Sequence, residues 1–338
     1  MPWLVLLLAL PIILAGAEFF TNGVEWVGEG FGLSEGAVGG VLAAIGTALP
    51  ETILPIVAIF GGNASGDEIG VGAILGAPFM LTTLAMFALA VTVVIVAKRG
   101  GRGEELEHDP GVLAQDLRYF IVMYALALVA GLLHVKAVSI VLAVALFGGY
   151  ALYVRRHFKG AGEKVEEAEA EGEVRPLHLD RLLRRHGTPT MAMSIVQTLL
   201  GLGVILAGAQ VFVGAINDLA TRFSVSHLVF ALLVAPIATE LPEALNSSVI
   251  WARRGKDVLA LGNITGAMVF QVTFPVAIGL LFTPWHLDLE AGVAAGIALL
   301  AAAILLITVR IRGGLNAKLL LLQGALYLAY VIFVFARA

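Results

Sequence analysis

Two short motifs carry the side chains best suited to bind cations, and each lies inside an apolar segment. They are Thr47-Ala48-Leu49-Pro50-Glu51 and Thr239-Glu240-Leu241-Pro242-Glu243. A carboxylate inside a membrane span loses its hydration, so its presence there indicates a functional site by default. Each proline lacks a helical N–H group, which leaves a backbone carbonyl one turn earlier available to a cation. We therefore predict an ion site to which both motifs contribute.

The composition predicts a polytopic membrane protein. Of 338 residues, 59% are hydrophobic and 14% are charged, whereas soluble domains are roughly 45–50% apolar. Mean hydropathy is +0.94. The absence of cysteine excludes disulfides, thiolate metal sites and cysteine catalysis. The sequence contains no nucleotide-binding fingerprint and no plausibly spaced nucleophile–base pair, so nothing in it suggests an enzyme. We expect no cofactor and no nucleic-acid partner, only inorganic cations and the lipid bilayer.

The apolar segments predict an all-α protein with about ten transmembrane helices, since about 20 apolar residues cross a bilayer. The first of them lacks a basic segment before it, which favours a retained span over a signal peptide. The predicted spans are roughly 3–27, 36–60, 69–97, 118–134, 137–155, 190–219, 226–251, 257–283, 291–309 and 317–336.

The basic residues predict the orientation of the chain. The odd-numbered connections between spans hold 18 of the 21 Lys and Arg residues. Because cytoplasmic loops are enriched in Lys and Arg, these connections are expected in the cytoplasm and both termini outside. The expected location is the plasma (inner) membrane. The stretch 156–189 is then a cytoplasmic charged linker, expected to be largely solvated.

The chain contains an internal repeat. A shift of 192 residues places the first motif on the second. Five spans per copy is an odd number, so the two copies must enter the membrane from opposite sides, as in inverted-topology transporters. We predict a first transmembrane repeat at 1–155, the linker at 156–189 and a second repeat at 190–338.

The spacing within each motif brings oxygen atoms together. Residues three or four apart share a helix face, so Glu51 lies beside Thr47, and Glu243 beside Thr239 and Glu240. Three carboxylates near the midplane cannot all stay ionised without a cation or protons. A hard cation such as Ca²⁺ takes six to eight oxygen ligands, a number that this set could approach with backbone carbonyls.

Two glycine pairs follow the motifs, at Gly72 with Gly76 and at Gly262 with Gly266. Such spacing allows helices to approach closely. The glycines are explained either by helix packing alone or by a position next to the bound ion. The second stretch also carries Asn263 and, further on, Gln271. For these two amides an ion-site role and plain interhelical hydrogen bonding both stay open.

These motifs resemble those of the sodium/calcium exchanger family, within the calcium/cation antiporter superfamily. That family's motif reads G-T-S-L-P-E, followed by a stretch like G-N-x-x-G-S-N-x-x-N. The matching stretches here are 46–51 with 72–78, and 238–243 with 262–268. The resemblance implies that Glu51 and Glu243 are the central cation-binding glutamates, and that Thr47 and Thr239 supply backbone or hydroxyl oxygen. It also implies a core of spans 2, 3, 7 and 8, against which spans 1 and 6 move.

Departures from the family motif bear on the coupling ion. The motif serines are replaced by Ala48 and Glu240, those after the glycines by Ala77 and Ala267, and a later polar position by Leu81 and Gln271. Several of these positions build sodium sites in members that use sodium. We therefore expect an antiporter of Ca²⁺ against H⁺ or Na⁺, with the ligand set favouring protons. A Na⁺/H⁺ exchanger without divalent transport, or a channel or ion-sensing membrane protein, stays an alternative, and the oligomeric state stays open.

Overall fold

The computed structural model describes residues 1–31, 48–161, 176–184, 188–244 and 249–337, with side chains for all of these except 157–161 and 241–244. The described chain is mostly helical. The helices are α1 Pro2–Gly30, α2 Leu49–Phe60, α3 Gly66–Met80, a π-helical turn Leu81–Ala85, α4 Met86–Lys98, α5 Pro110–Leu133, α6 Lys136–Ala161, α7 His178–Leu182, α8 Met191–Phe223, α9 His227–Ala244, α10 Ile250–Arg253, α11 Asp257–Gln271, α12 Phe274–Phe282, α13 Leu289–Arg312 and α14 Ala317–Phe335.

Eight helical segments in the described part of the chain are long and apolar enough to cross a bilayer. Two further apolar helices are shorter, at Leu49–Phe60 and His227–Glu240. Both carry a T-x-L-P-E motif or part of one. The predicted span 36–60 falls partly outside the described residues, and Thr47 lies there too.

The helix starts follow from capping chemistry. Asp109 caps α5 by accepting hydrogen bonds from Gly111 N at 2.8 Å and Val112 N at 3.1 Å. Pro110 then occupies the first turn, where a missing N–H costs nothing. Helix α5 therefore begins eight residues earlier than the 118–134 span predicts. The difference matters because it places the carboxylate of Asp116 inside the helix instead of in a loop.

A small sheet departs from the all-α prediction. Strands β1 Glu105–Leu106 and β2 Leu315–Asn316 pair antiparallel. Ala317 N extends the pairing by donating to Glu104 O at 2.9 Å. Two residues per strand give no periodicity that a sequence pattern could detect. The ribbon joins the connection after α4 to the one before α14.

The chain folds into two compact units. Unit 1 comprises Met1–Val57 and Tyr153–Leu219, and unit 2 comprises Ala58–Leu152 and Ala220–Ala338. Within unit 2, α3 packs along α9, α5 along α13, α4 along α14, and α11 along α5. These pairings bring together helices that are more than a hundred residues apart in the chain.

In unit 1, α1 and α8 pack through glycines. A Cβ atom built on Gly23 would lie 2.6 Å from the Thr198 hydroxyl, and one on Gly201 would lie 2.6 Å from Phe20 N. Gly16 and Gly208 are similarly close to the facing helix. Because a side chain at any of these positions would push the backbones apart, the glycines hold the two helices in close contact along their length.

The short helix α7 lies within the predicted linker 156–189. This part of the linker is not simply solvated, because α7 is held against α1 and α8 by hydrogen bonds. Asn22 Oδ1 of α1 accepts from His178 N at 3.0 Å, and Gln197 Oε1 of α8 accepts from Leu179 N at 2.7 Å. The Gln197 amide also donates to Phe19 O and to Asn22 Oδ1, both at 2.9 Å. Two buried amides thus satisfy the first N–H groups of α7, which have no partner within a helix.

Replacing Gln197 by leucine is expected to release α7 from α1 and α8. The change removes three hydrogen bonds at a fully buried side chain, and each unmet polar partner costs about 1–3 kcal/mol. Trypsin should then cleave after Arg181 and Arg184 about tenfold faster, as measured by mass spectrometry of the detergent-solubilised protein. Gln210→Leu, at an exposed position on α8, is the matched control. Equal cleavage rates in both variants would contradict the role of Gln197.

Candidate functional site

Helix α9 of unit 2 carries Thr239 and Glu240, both buried, with 4% and 3% of their surface exposed. The Thr239 hydroxyl donates to Ala235 O at 3.2 Å, so its lone pairs stay available for a cation. The Glu240 carboxylate accepts a 2.5 Å hydrogen bond from Gln271 Nε2 on α11. Two of the residues singled out from sequence are thus in direct contact, although they are 31 positions apart.

Gln271 lies where a helix is broken. Helix α11 ends at Gln271 and α12 starts at Phe274, with Pro275 in its first turn. Pro275 has no N–H to donate to the Gln271 carbonyl, which therefore lacks its usual helical partner. The span predicted over 257–283 is present as one apolar segment, Asp257–Phe282, but it consists of two helices. Pro275 is the residue in the sequence that could have indicated the break. Discontinuous helices expose backbone oxygen at the ion sites of many transporters.

The side-chain amide of Gln271 is used on one side only. Its Nε2 donates to Glu240, whereas its Oε1, fully buried, accepts no hydrogen bond from the described residues. The interhelical hydrogen bond foreseen as one reading of Gln271 is therefore present. It leaves the amide oxygen available as a ligand, so the two readings are compatible.

An irregularity at the equivalent position occurs between α3 and α4. The π-helical turn Leu81–Ala85 contains Thr83, whose hydroxyl donates to Phe79 O at 2.5 Å. At the break after α11, Thr273 donates to Val269 O at 2.7 Å. A shift of 190 residues, the one that relates the two glycine pairs, places Thr83 on Thr273. Hydroxyls that bond to the carbonyl four residues earlier are known to bend helices.

In unit 1, Glu51 lies in the first turn of α2 and is buried, with 8% of its surface exposed. Thr52, the next residue, donates to Ala48 O at 2.7 Å. Pro55 lies four residues after Glu51 and has no N–H, so the Glu51 carbonyl lacks its helical donor. Glu51 therefore brings both a carboxylate and a backbone oxygen to one place.

The structure describes the remaining predicted ligands only in part. Glu243 belongs to α9, but its side chain is not described, and Thr47 lies outside the described residues. Asn263 is half-buried on α11. Among the described side chains, no three of the His, Asp and Glu groups cluster around a possible metal position. The predicted carboxylate triad is not tested by this, because it includes Glu243.

The two glycine pairs differ in their surroundings. A Cβ atom built on Gly72 would lie 2.2 Å from Leu228 O, and one on Gly76 would lie 2.1 Å from Leu232 O, both on α9. The first pair is therefore a close-packed seam between α3 and α9. At Gly262 and Gly266, no atom of the described residues lies within 4 Å of such a Cβ.

Asp116 is a buried carboxylate that the sequence analysis missed. It is 1% exposed on α5, and Thr265 of α11 donates to its Oδ2 at 2.7 Å. The predicted span started at 118, which left Asp116 in a loop. The Asp109-Pro110 pair, a capping residue followed by a first-turn proline, could have indicated the earlier start. The contact fixes α11 against α5 six residues before Gln271.

The first turn of α11 is held by an ion pair. Asp257, 1% exposed, pairs with the Arg102 guanidinium and accepts from Glu107 N at 3.1 Å. Arg102 also donates to Ala252 O and to Glu105 O, each at 3.0 Å. The hydrogen bond to Asp257 raises the pKa of Arg102 despite partial burial. This network and the Asp116–Thr265 contact together determine where α11 presents Asn263 and Gln271.

A mostly helical polytopic membrane protein with carboxylates buried in its apolar segments is typical of the class of ion transporters. The chain matches the family described as "Sodium/calcium exchanger protein" over residues 1–158 and 193–336. It is therefore a member of the sodium/calcium exchanger family, a membrane protein of the cation antiporter class. The resemblance noted from the motifs is confirmed.

Similar proteins were found at low identity over most of the chain. One is the "Putative antiporter CaxA" of Alkalimonas amylolytica, 25% identical over 95% of this chain and 93% of CaxA. Another is the "Inner membrane protein YrbG" of Escherichia coli, 24% identical over 84% of this chain and 80% of YrbG.

Solved structures share the fold. The H⁺/Ca²⁺ exchanger CAX superposes with a TM-score of 0.70 at 18% identity, covering 98% of this chain and 81% of CAX. The sodium-calcium exchanger NCX_Mj superposes with a TM-score of 0.56 at 21% identity, covering 98% of this chain and 97% of its own.

Proposed function

We propose that this protein is a secondary active antiporter that moves Ca²⁺ across the membrane in exchange for H⁺ or Na⁺. The observation that carries the proposal is the contact between Glu240 and Gln271, because it places a buried carboxylate and an available amide oxygen at a helix break. Carboxylate, amide and backbone oxygen are the ligands of hard divalent cations. Family membership makes exchange the expected mode of transport, and CaxA and CAX bear names of antiporters or exchangers.

The proposed ligand set combines the two motifs and the α11 amides. It rests on the sequence repeat, which assigns equivalent roles to Glu51 and Glu243, and on the Glu240–Gln271 contact within unit 2. Glu51 and Glu243 bind the cation directly, and Glu240 is either a third ligand or the acid that takes up the proton. The full set is Glu51, Glu243, Glu240, Thr47, Thr239, Asn263 and Gln271.

Protons are the favoured counter-ion because of what replaces the family's serines. The motif serines build sodium sites in family members that use sodium, and these positions are here Ala48 and Glu240. A buried carboxylate that loses its divalent cation is costly to leave ionised, so it binds a proton. Alternating binding of Ca²⁺ and H⁺ at the same carboxylates couples their movements in opposite directions.

The proposed topology is ten spans in two inverted repeats, 1–155 and 190–338, joined by a cytoplasmic linker at 156–189, with both termini outside the plasma membrane. The eight long and two shorter apolar helices are consistent with this number of spans. The matching positions of Thr83 and Thr273 beside helix irregularities support the repeat. Inverted repeats permit alternating access by moving one part of the protein against another.

The proposal is tested by uptake of ⁴⁵Ca²⁺ into proteoliposomes with either a pH gradient or a sodium gradient imposed. We expect the pH gradient to drive uptake and Glu243→Gln to abolish it, because glutamine supplies neither charge nor a titratable proton. Glu68→Gln, at an exposed carboxylate in the first turn of α3, should leave uptake unchanged.

Other outcomes would point elsewhere. Uptake driven only by sodium would show that coupling to Na⁺ survives without the serines. Proton exchange for sodium with no competition by Ca²⁺ would identify a Na⁺/H⁺ exchanger. Normal uptake by Glu243→Gln would refute the assignment of the site.

A further inference from the structure

A cavity of about 470 Å³ opens between the end of α4 and the short helix α10 in unit 2. Both helices end at the side of the molecule predicted to face the cytoplasm, α4 at Lys98 and α10 at Arg253. Because α4 is the end of an apolar segment that stops at Lys98, this cavity is expected at the level where the hydrocarbon core meets the lipid headgroups. Its lining consists of Thr92, Ile95, Val96, Arg99, Gly101 and Arg253.

Two arginines line this cavity without a counter-charge. Neither the Arg99 nor the Arg253 guanidinium makes a hydrogen bond or ion pair with the described residues, whereas nearby Arg102 is neutralised by Asp257. A cation at a helix C-terminus is stabilised by the helix dipole alone. The helix dipole explains one arginine at the end of each helix. It does not explain why two guanidinium groups, from helices more than 150 positions apart in the chain, line the same cavity.

The rest of the lining is apolar. Ile95 is 44% exposed, as are many large aliphatic side chains of these apolar helices, so this wall of the cavity is accessible to lipid. The Thr92 hydroxyl donates to Ala88 O at 2.9 Å on its own helix, so it offers the cavity mainly its methyl group. A basic end next to an apolar wall matches a ligand with an anionic head and a hydrocarbon tail. A free anion would have no use for the exposed Ile95.

We propose that this cavity binds the phosphate headgroup of an anionic phospholipid, with Arg99 and Arg253 holding the phosphate and an acyl chain lying against Ile95 and Val96. Guanidinium groups bind phosphate oxygens through paired hydrogen bonds. Basic pockets at the cytoplasmic ends of membrane helices are suited to such headgroups. Because α10 directly precedes α11, an occupied site would steady the helix that carries Gln271.

The test titrates the detergent-solubilised full-length protein with a short-chain phosphatidylglycerol and measures bound lipid by native mass spectrometry. Phosphatidylcholine, glycerol phosphate and inorganic phosphate are titrated in parallel. We expect phosphatidylglycerol to bind in a one-to-one complex. The double variant R99Q/R253Q should weaken its binding by about 30-fold, as the loss of two arginines near a membrane surface implies.

The matched control is R310Q/R312Q, which removes the same charge at the end of α13, outside the cavity. It should bind phosphatidylglycerol as tightly as the unmodified protein does. In the absence of lipid, both double variants should melt at the same temperature as the unmodified protein. Equal weakening by both double variants would mean diffuse attraction and overturn the proposal. Binding of inorganic or glycerol phosphate with the affinity of phosphatidylglycerol would overturn the lipid assignment in favour of a free anion.

Discussion

Replacing Glu51 by glutamine is expected to lower the initial rate of ⁴⁵Ca²⁺ uptake by at least about 100-fold, or about 2.7 kcal/mol in transport free energy. Glu51 is a buried carboxylate in an apolar helix, and its own backbone carbonyl lacks a helical donor because of Pro55. The glutamine keeps the size of the side chain but loses its charge. A divalent cation then loses its main attraction at this position, while a neutral amide costs less to bury than an ionised carboxylate.

The measurement compares uptake per folded protein in proteoliposomes under the gradient that drives the unmodified protein. Glu18→Gln is the control within unit 1, because Glu18 is 56% exposed on α1. It should transport normally. The melting temperature of Glu51→Gln should equal or exceed that of the unmodified protein, since an acid that costs energy to bury has been neutralised. Uptake within about twofold of normal would show that Glu51 is not a ligand.

The buried acids of the two motifs could be predicted because a charge inside an apolar segment is conspicuous whatever the fold. Glu51 and Glu240 were identified in this way, and both are buried in the structure. Family membership was indicated by the same residues, since the two motifs include their prolines at the correct spacing. The local sequence was sufficient for both predictions, because a buried acid and a family motif can each be recognised from a few consecutive residues.

The pairs of helices that pack against each other could not be predicted from the sequence, because nearly every face of these helices is apolar. Periodicity then does not show which side of α11 meets α9 and which meets α5. The contact of Thr265 with Asp116 spans 149 positions, and that of Gln271 with Glu240 spans 31. Each pair consists of residue types that are common in loops or at helix ends, so nothing local indicates the pairing.

Helix irregularities were missed for a related reason. The break after Gln271 depends on Pro275, but membrane helices tolerate proline when neighbours satisfy the freed groups. The π-helical turn at Leu81–Ala85 contains no proline at all. Its threonine hydroxyls bond to carbonyls of the preceding turn, and such bonds also occur in regular helices, as at Thr308. The sequence around Thr83 therefore does not distinguish a bend from a straight span.

Replacing Gly76 by alanine is expected to lower the melting temperature by at least about 5 °C, as overpacking costs of about 1–3 kcal/mol imply. The new Cβ would lie 2.1 Å from Leu232 O and 2.7 Å from Pro236 Cγ. Neither atom belongs to a flexible side chain, so α3 and α9 must separate. The Leu232 carbonyl is the one that Pro236 leaves without a helical donor. Its contact with Gly76 is therefore a close backbone approach that only glycine permits.

Gly296→Ala on α13 is the matched control, because no atom of the described residues lies within 4 Å of a Cβ there. Alanine is the better helix former by roughly 0.5–1 kcal/mol, so this variant should melt at the same or a slightly higher temperature. Melting is followed by fluorescence in detergent, and uptake is measured on the folded fraction. If Gly76→Ala melts like Gly296→Ala yet loses transport, the glycine serves the ion pathway and not the helix seam. Loss of stability with normal transport by the folded fraction assigns it to packing.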